Sequence, residues 1–119
     1  MSSEQCLFCR IVKGDIPAKR IYEDEGVIAF HDIHPQAPVH VLVIPKQHVA
    51  TLDDLTPEQR PMAGHLLERT GHVARELGLG ENGYRVIINT RGHGGQEVFH
   101  IHVHILGGRH VGPMVTRQG

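Results

Sequence analysis

Phe99-His100-Ile101-His102-Val103-His104-Ile105-Leu106 sets three histidines in alternation with apolar residues. Side chains of a strand point to opposite faces with a period of two. Val98 to Leu106 therefore reads as a strand, with His100, His102 and His104 on one face and Ile101, Val103 and Ile105 on the other. Successive histidines on that face would stand about 6.5 Å apart. A buried imidazole needs hydrogen-bond partners, so apolar residues would stabilise such a face better. A solvent-facing polar stripe is the bland reading. A metal site and a histidine-based catalytic site are the sharper ones.

The flanking segments supply the rest of a sheet. Tyr84 to Thr90 reads as a strand, Arg91 to Gln96 as a Gly-rich loop, and the tail from Gly107 as irregular. Val39 to Ile44 is strongly β-branched and stopped by Pro45. Arg20–Glu23 and Val27–Asp32 flank the turn Asp24-Glu25-Gly26, a hairpin signal, and Pro35 and Pro38 punctuate the next loop. Two stretches have helical spacing. The first is Glu4 to Lys13, with Leu7, Phe8, Ile11 and Val12 apolar and Gly14 to end it. The second opens on Thr56-Pro57-Glu58-Gln59, the form of a capping box, and keeps its period through Met62, Leu66, Val73 and Leu77 to Gly78. Pro61 is expected to kink its first turns, and Gly64 and Gly71 leave it dependent on packing. Helix, three strands, helix, two strands predicts an α+β fold: an antiparallel sheet of about five strands with one long and one short helix, in one domain over residues 1–119.

Composition excludes several function classes. Twelve Lys and Arg against 13 Asp and Glu give a formal charge of −1, which argues against bulk electrostatic binding of nucleic acid or acidic membranes. Aromatics are 4% of the chain and Trp is absent, so base-stacking platforms are not expected. No apolar run approaches the roughly 20 residues of a membrane span. MSSEQCLFCR lacks a basic-then-apolar signal pattern, so a cytoplasmic protein is expected. Eleven histidines remain as the compositional excess, and protonating all of them would carry the charge from −1 to +10.

A catalytic metal centre mixes imidazoles with carboxylates, yet Glu97 is the one acidic residue near the three histidines in sequence. The alternative is a nucleophilic imidazole. Neutral histidine is a competent nucleophile near pH 7, and neighbouring imidazoles can hold phosphate oxygens and protonate a leaving group.

His-Ile-His-Val-His-Ile-Leu resembles the His-x-His-x-His motif of the histidine triad superfamily. The stretch from Phe30 through Asp32, Pro35, His40 and Ile44 to Pro45 resembles that family's N-terminal signature. Gly94-Gly95-Gln96-Glu97-Val98-Phe99 before the triad and Gly107-Gly108-Arg109 after it also match, so the resemblance covers roughly Cys6 to Met114. It is strongest to the nucleotide-binding branch of purine nucleoside phosphoramidases, in a bacterial-looking form. The resemblance implies a HIT-like fold, a homodimer and a purine nucleotide substrate. It makes His102 the nucleophile, gives His104 the phosphate and leaving-group contact, and adds His40 to the histidine cluster. No catalytic metal is required. Gly95 and Gln96 resemble a phosphate-holding loop, Asn89 a ribose–phosphate contact and Asp32 the partner of the ribose hydroxyls. Phe8, Ile11, Ile16, Phe30 and Ile33 resemble the walls of a base pocket. Glu97 stands where eukaryotic members carry Ser. Dinucleoside polyphosphate hydrolysis and non-catalytic nucleotide or partner binding are the competing expectations. Gly94-Gly95-Gln96 and the Gly107-Gly108-Arg109 tail favour the phosphoramidase branch.

Cys6-Leu7-Phe8-Cys9 is a Cys-x-x-Cys, which in a cytoplasmic chain points to metal or redox chemistry rather than a structural disulfide. A thioredoxin-like motif would need a preceding strand, which is missing. Two cysteines need two more ligands to close a tetrahedral zinc site, or else stay reduced and unliganded. The resemblance implies that His48 and His100 complete a structural zinc site with Cys6 and Cys9.

Overall fold

The computed structural model describes residues 5–115. The short helix α1 spans Leu7–Lys13, and the expected start at Glu4 lies outside the described residues. Cys6 caps α1: its sulfur accepts the N–H of Cys9 at 3.4 Å. Gly14 ends the helix in the left-handed conformation, as its position predicted.

Strands β1 (Arg20–Glu23), β2 (Val27–His31) and β3 (Val39–Pro45) follow. The long helix α2 covers Arg60–Glu76, then come β4 (Arg85–Ile87), a one-turn helix α3 (Arg91–Gly94) and β5 (Val103–Gly107). All pairings are antiparallel, in the order β1-β2-β3-β5-β4, so the last strand inserts between β3 and β4. This is the expected five-stranded α+β architecture. Among the described residues, no helix is long and apolar enough to cross a membrane.

Both faces of the sheet are covered, which is why β2 and β3 are apolar at nearly every position. Val27, Ala29, Val41, Val43, Val103 and Ile105 pack against Leu66, Val73 and Ala74 of α2. The alternate residues Ile28, Phe30, Leu42 and Ile44 pack against Phe8, Cys9 and Ile11 of α1. His40 shares the face of Leu42, and the register sets Leu42 opposite His104. The short helix thus covers one end of a face whose other end carries histidines.

Three local expectations change. Pro61 does not kink α2. A 3-10 turn over Pro57–Gln59 precedes the helix, which places Pro61 in its first turn, where the missing N–H has no intrahelical partner to lose. The Gly-rich loop winds into α3. The expected strand Val98–Leu106 shortens to β5, so His100 and His102 lie just before the sheet rather than in it. In the register Val43↔Val103, the ladder runs next toward Pro45, which has no N–H to give. The N–H of Ile101 instead donates to the Val49 carbonyl at 2.7 Å.

Candidate active site

His40, His102 and His104 meet at the open end of the α1 face. The rings of His102 and His104 lie 5.0 Å apart, and those of His40 and His104 5.2 Å apart. Backbone groups decide which ring nitrogens carry protons. The His100 carbonyl can only accept, so His102 donates its Nδ1–H to it at 2.8 Å. Nε2 of His102 then holds a lone pair, with no partner among the described residues. The N–H of Gln36 can only donate, so His40 Nδ1 accepts it at 3.0 Å. His40 therefore protonates at Nε2 and donates to His104 Nδ1 at 2.9 Å, which leaves His104 with its proton on Nε2. Asp32 Oδ2 stands 3.4 Å from His40 Nε2, and Asp32 Oδ1 accepts the N–H of His34 at 2.8 Å.

These groups border a cavity of about 1170 Å³. Its polar lining includes His40, His102, His104, Asp32, Asn89 and Glu97, and Gly95 lines it as well. Its apolar lining includes Phe8, Ile11, Ile16, Phe30 and Ile33, of which Ile33 is 85% exposed. Gln96 lies elsewhere. It is buried, its Oε1 accepts the Arg91 N–H at 2.8 Å, and its amide donates to the carbonyls of Ala50 and Val98. Gly95 donates its N–H to the Gly92 carbonyl at 3.1 Å. The loop is shaped by these bonds, and Gly95 and Glu97 are what it presents to the cavity. Sequence reading missed the loop of Pro35, Gln36 and Pro38, which closes the cavity over His40. Its contribution is a backbone N–H, which no side-chain pattern advertises.

A second cluster lies beside the first. The Nδ1 of His100 is 3.4 Å from Cys6 Sγ, 3.5 Å from Cys9 Sγ and 3.2 Å from His48 Nδ1. Cys9 Sγ is 3.2 Å from His48 Nδ1. All four donor atoms lie within 4.8 Å of one another. Tetrahedral zinc with sulfur at about 2.3 Å and nitrogen at about 2.0 Å separates its ligand atoms by about 3.3–3.8 Å, so the donor set and its spacing fit such an ion. Donation of His100 Nε2–H to the Pro45 carbonyl at 2.8 Å leaves Nδ1 as the ligating lone pair. Burial, with Cys6 adjacent, pushes the Cys9 thiol up to about 11, against a small opposing pull from Lys13. Cys6 and Cys9 form no disulfide.

The HIT domain family matches residues 13–111. The chain belongs to that family. The purine nucleoside phosphoramidase of Escherichia coli K12 is 44% identical over 117 residues, 98% of each chain. An uncharacterised HIT-like protein of Synechococcus elongatus is 50% identical over 107 residues, 90% of this chain and 93% of that one. Among solved structures, a histidine triad protein of Clostridium difficile superposes with a TM-score of 0.91 at 40% identity, covering 97% of this chain and 100% of its own. A HIT family hydrolase of Legionella pneumophila gives 0.87 at 48% identity, covering 89% and 95%. The HIT fold expected from the triad motif is the fold found.

Within this HIT fold, burial lowers His100, His102 and His104. His104 is pushed down to about 4 by burial, with His102 and His40 adding to the shift and Asp32 opposing it. It is therefore neutral at pH 7. Titration of His104 by NMR should find its midpoint well below the ordinary value of 6.5. The unfolded chain takes up this proton near pH 6.5 and the folded chain only near 4, so acidification through that window favours unfolding. A midpoint at or above 6.5 would contradict the burial argument.

Proposed function

We propose that this HIT-family chain is a purine nucleoside phosphoramidase, carried by one domain over residues 1–119. The observation that carries the reading is the His102 tautomer. The Nδ1–H donated to the His100 carbonyl keeps the Nε2 lone pair free beside a cavity lined by both apolar and polar residues. Nε2 of His102 forms a bond to the α-phosphorus as the P–N bond breaks. The departing nitrogen takes a proton and leaves as an amine, and the proton on His104 Nε2 is placed for it or for a phosphate oxygen. His40 holds His104 in that tautomer, with Asp32 Oδ2 standing 3.4 Å from His40 Nε2. Water then cleaves the nucleotidyl-histidine, releasing the nucleoside monophosphate and restoring His102. Acyl nucleotides fit the same sequence, with the acyl oxygen as leaving atom.

In this reading Phe8, Ile11, Ile16, Phe30 and Ile33 face the base, Asp32 the ribose hydroxyls and Asn89 the ribose–phosphate region. Gly95 and Glu97 border the phosphate, on a loop that Gln96 braces. The test is rapid quench with a slow phosphoramidate followed by mass spectrometry. The nucleotide is expected on His102, and turnover with no adduct on any histidine would refute the mechanism.

Two further expectations accompany this reading. Strand β4 is an edge of the sheet and exposes Val86, so two copies pairing β4 to β4 would make a homodimer with one continuous sheet. Sedimentation equilibrium should return the mass of two chains, and a mass of one chain at micromolar concentration would refute it. Reduced Cys6 and Cys9 in a metal-binding cluster accord with a cytoplasmic location.

A further inference from the structure

We infer that the Cys6–Cys9–His48–His100 cluster, when it holds a metal ion, is a positioning device for the His102 imidazole. It acts through the His100 carbonyl and the Phe8 ring. The inference rests on His102 being the nucleophile.

Sheet pairing does not hold His102. Strand β5 starts at Val103, so the sheet ladder stops one residue short of this histidine. The segment before it is fixed by other ties. Ile101 donates its N–H to the Val49 carbonyl at 2.7 Å, and His100 donates its Nε2–H to the Pro45 carbonyl at 2.8 Å. The third tie is the cluster itself, toward which His100 Nδ1 is turned. The same residue, His100, is the one whose carbonyl accepts the Nδ1–H of His102. One rigid residue thus has its ring in the cluster and its carbonyl on the nucleophile.

The second route runs through α1. Phe8 lies between Cys6 and Cys9 in sequence, so a metal held by both sulfurs fixes the turn that carries it. The Phe8 ring stands edge-on to His102, with centroids 5.0 Å apart, and to His100 at 5.9 Å. His102 is therefore held at Nδ1 by a carbonyl and across its ring by an aromatic edge, and both supports begin at cluster residues. With the cluster closed, the Nδ1–H tautomer and the ring orientation are set before substrate arrives. With it open, four donor groups lose their common partner, and the segment is left with the His100 ring's bond to the Pro45 carbonyl and the Ile101 N–H bond to the Val49 carbonyl. Losing the acceptor that fixes a catalytic imidazole's tautomer can cost up to about 10⁴-fold in turnover, and partial loosening costs less.

Wild-type protein is stripped with a chelator and reloaded with Zn²⁺, its metal content being read by native mass spectrometry. Three quantities are followed: turnover of adenosine phosphoramidate, the ¹⁵N shifts of the His102 ring, and the thermal midpoint. Stripping should lower kcat by about tenfold or more and move His102 from a pure Nδ1–H tautomer to a mixture, and Zn²⁺ should restore both. Cys9→Ser should reproduce the stripped state in a chain that still melts cooperatively, which supplies the comparison if chelated wild type unfolds. A purely structural cluster would lower the melting midpoint and leave the tautomer unmoved. The inference is overturned if a folded, metal-free form keeps kcat within about twofold and His102 wholly Nδ1–H. It is equally overturned if purified protein offered Zn²⁺ binds none. A loaded protein with no turnover would instead fail the hydrolase reading, while the tautomer measurement would still decide the inference.

Discussion

His102→Ala is expected to lower turnover of adenosine phosphoramidate by about 10⁴-fold or more while leaving binding of the nucleoside monophosphate within a few-fold. The size of the effect follows from the geometry. Among His40, His102 and His104, His102 alone offers an unprotonated ring nitrogen free of a partner, because its Nδ1 carries the proton and donates it to the His100 carbonyl. His40 cannot substitute, since its Nδ1 accepts from Gln36 and its Nε2 donates to His104. His104 cannot readily substitute either, since its Nδ1 is taken by His40. The apolar walls, by contrast, are supplied by other residues, so nucleotide affinity should survive. Isothermal calorimetry with the monophosphate and steady-state kinetics read the two halves separately. Retained turnover would remove the nucleophile from this position. Lost binding together with lost turnover would mean that the substitution had disturbed the pocket.

The sequence discloses the elements that obey simple periods. Leu66, Thr70, Val73 and Ala74 form the buried stripe of α2, and the β-branched run of β3 is buried from His40 to Pro45. The three alternating histidines were legible as chemistry because imidazoles are costly on a plain core face, and the Cys-x-x-Cys because of its ligand spacing. What the sequence could not display is set by backbone atoms from remote segments. The tautomers of His100, His102 and His40 depend on the carbonyls of Pro45 and His100 and on the N–H of Gln36. The early end of β5 depends on Pro45 across the ladder. Of the remaining histidines, His65 bonds Asp24 at 2.9 Å and so ties the β1–β2 turn to α2. Burial disfavours the charge on Asp24, but hydrogen bonds from Tyr22, the Gly26 and Val27 amides and His65 outweigh it and hold the carboxyl below its usual range. A count of histidines cannot separate that structural use from the catalytic one.

Gly108→Ala should destabilise the fold by about 2–5 kcal/mol, the sum of a left-handed backbone cost and an overpacking cost. Gly108 has φ +90, a conformation that an L side chain resists. A Cβ there would stand 2.9 Å from Pro38 Cβ and 3.4 Å from the Val39 nitrogen, so the neighbour as well as the backbone must give. That neighbour connects the change to the site. Pro38 lines the cavity and lies two residues from Gln36, whose N–H sets the tautomer of His40. If Pro38 moves, the Gln36 N–H moves from His40 Nδ1, and His104 loses the donor that keeps its own proton on Nε2. The folded fraction of Gly108→Ala should therefore turn over more slowly than wild type, beyond what its lowered stability explains. Urea unfolding gives the first effect, and kcat measured at a temperature where the variant is fully folded gives the second. Gly107→Ala is the contrasting case. Its Cβ would meet Leu79 Cδ2 at 2.9 Å, but Leu79 is a flexible side chain in the core beneath α2. That variant should lose stability and keep its kcat. Equal kcat losses in the two variants would break the proposed link from Gly108 through Pro38 to the histidines.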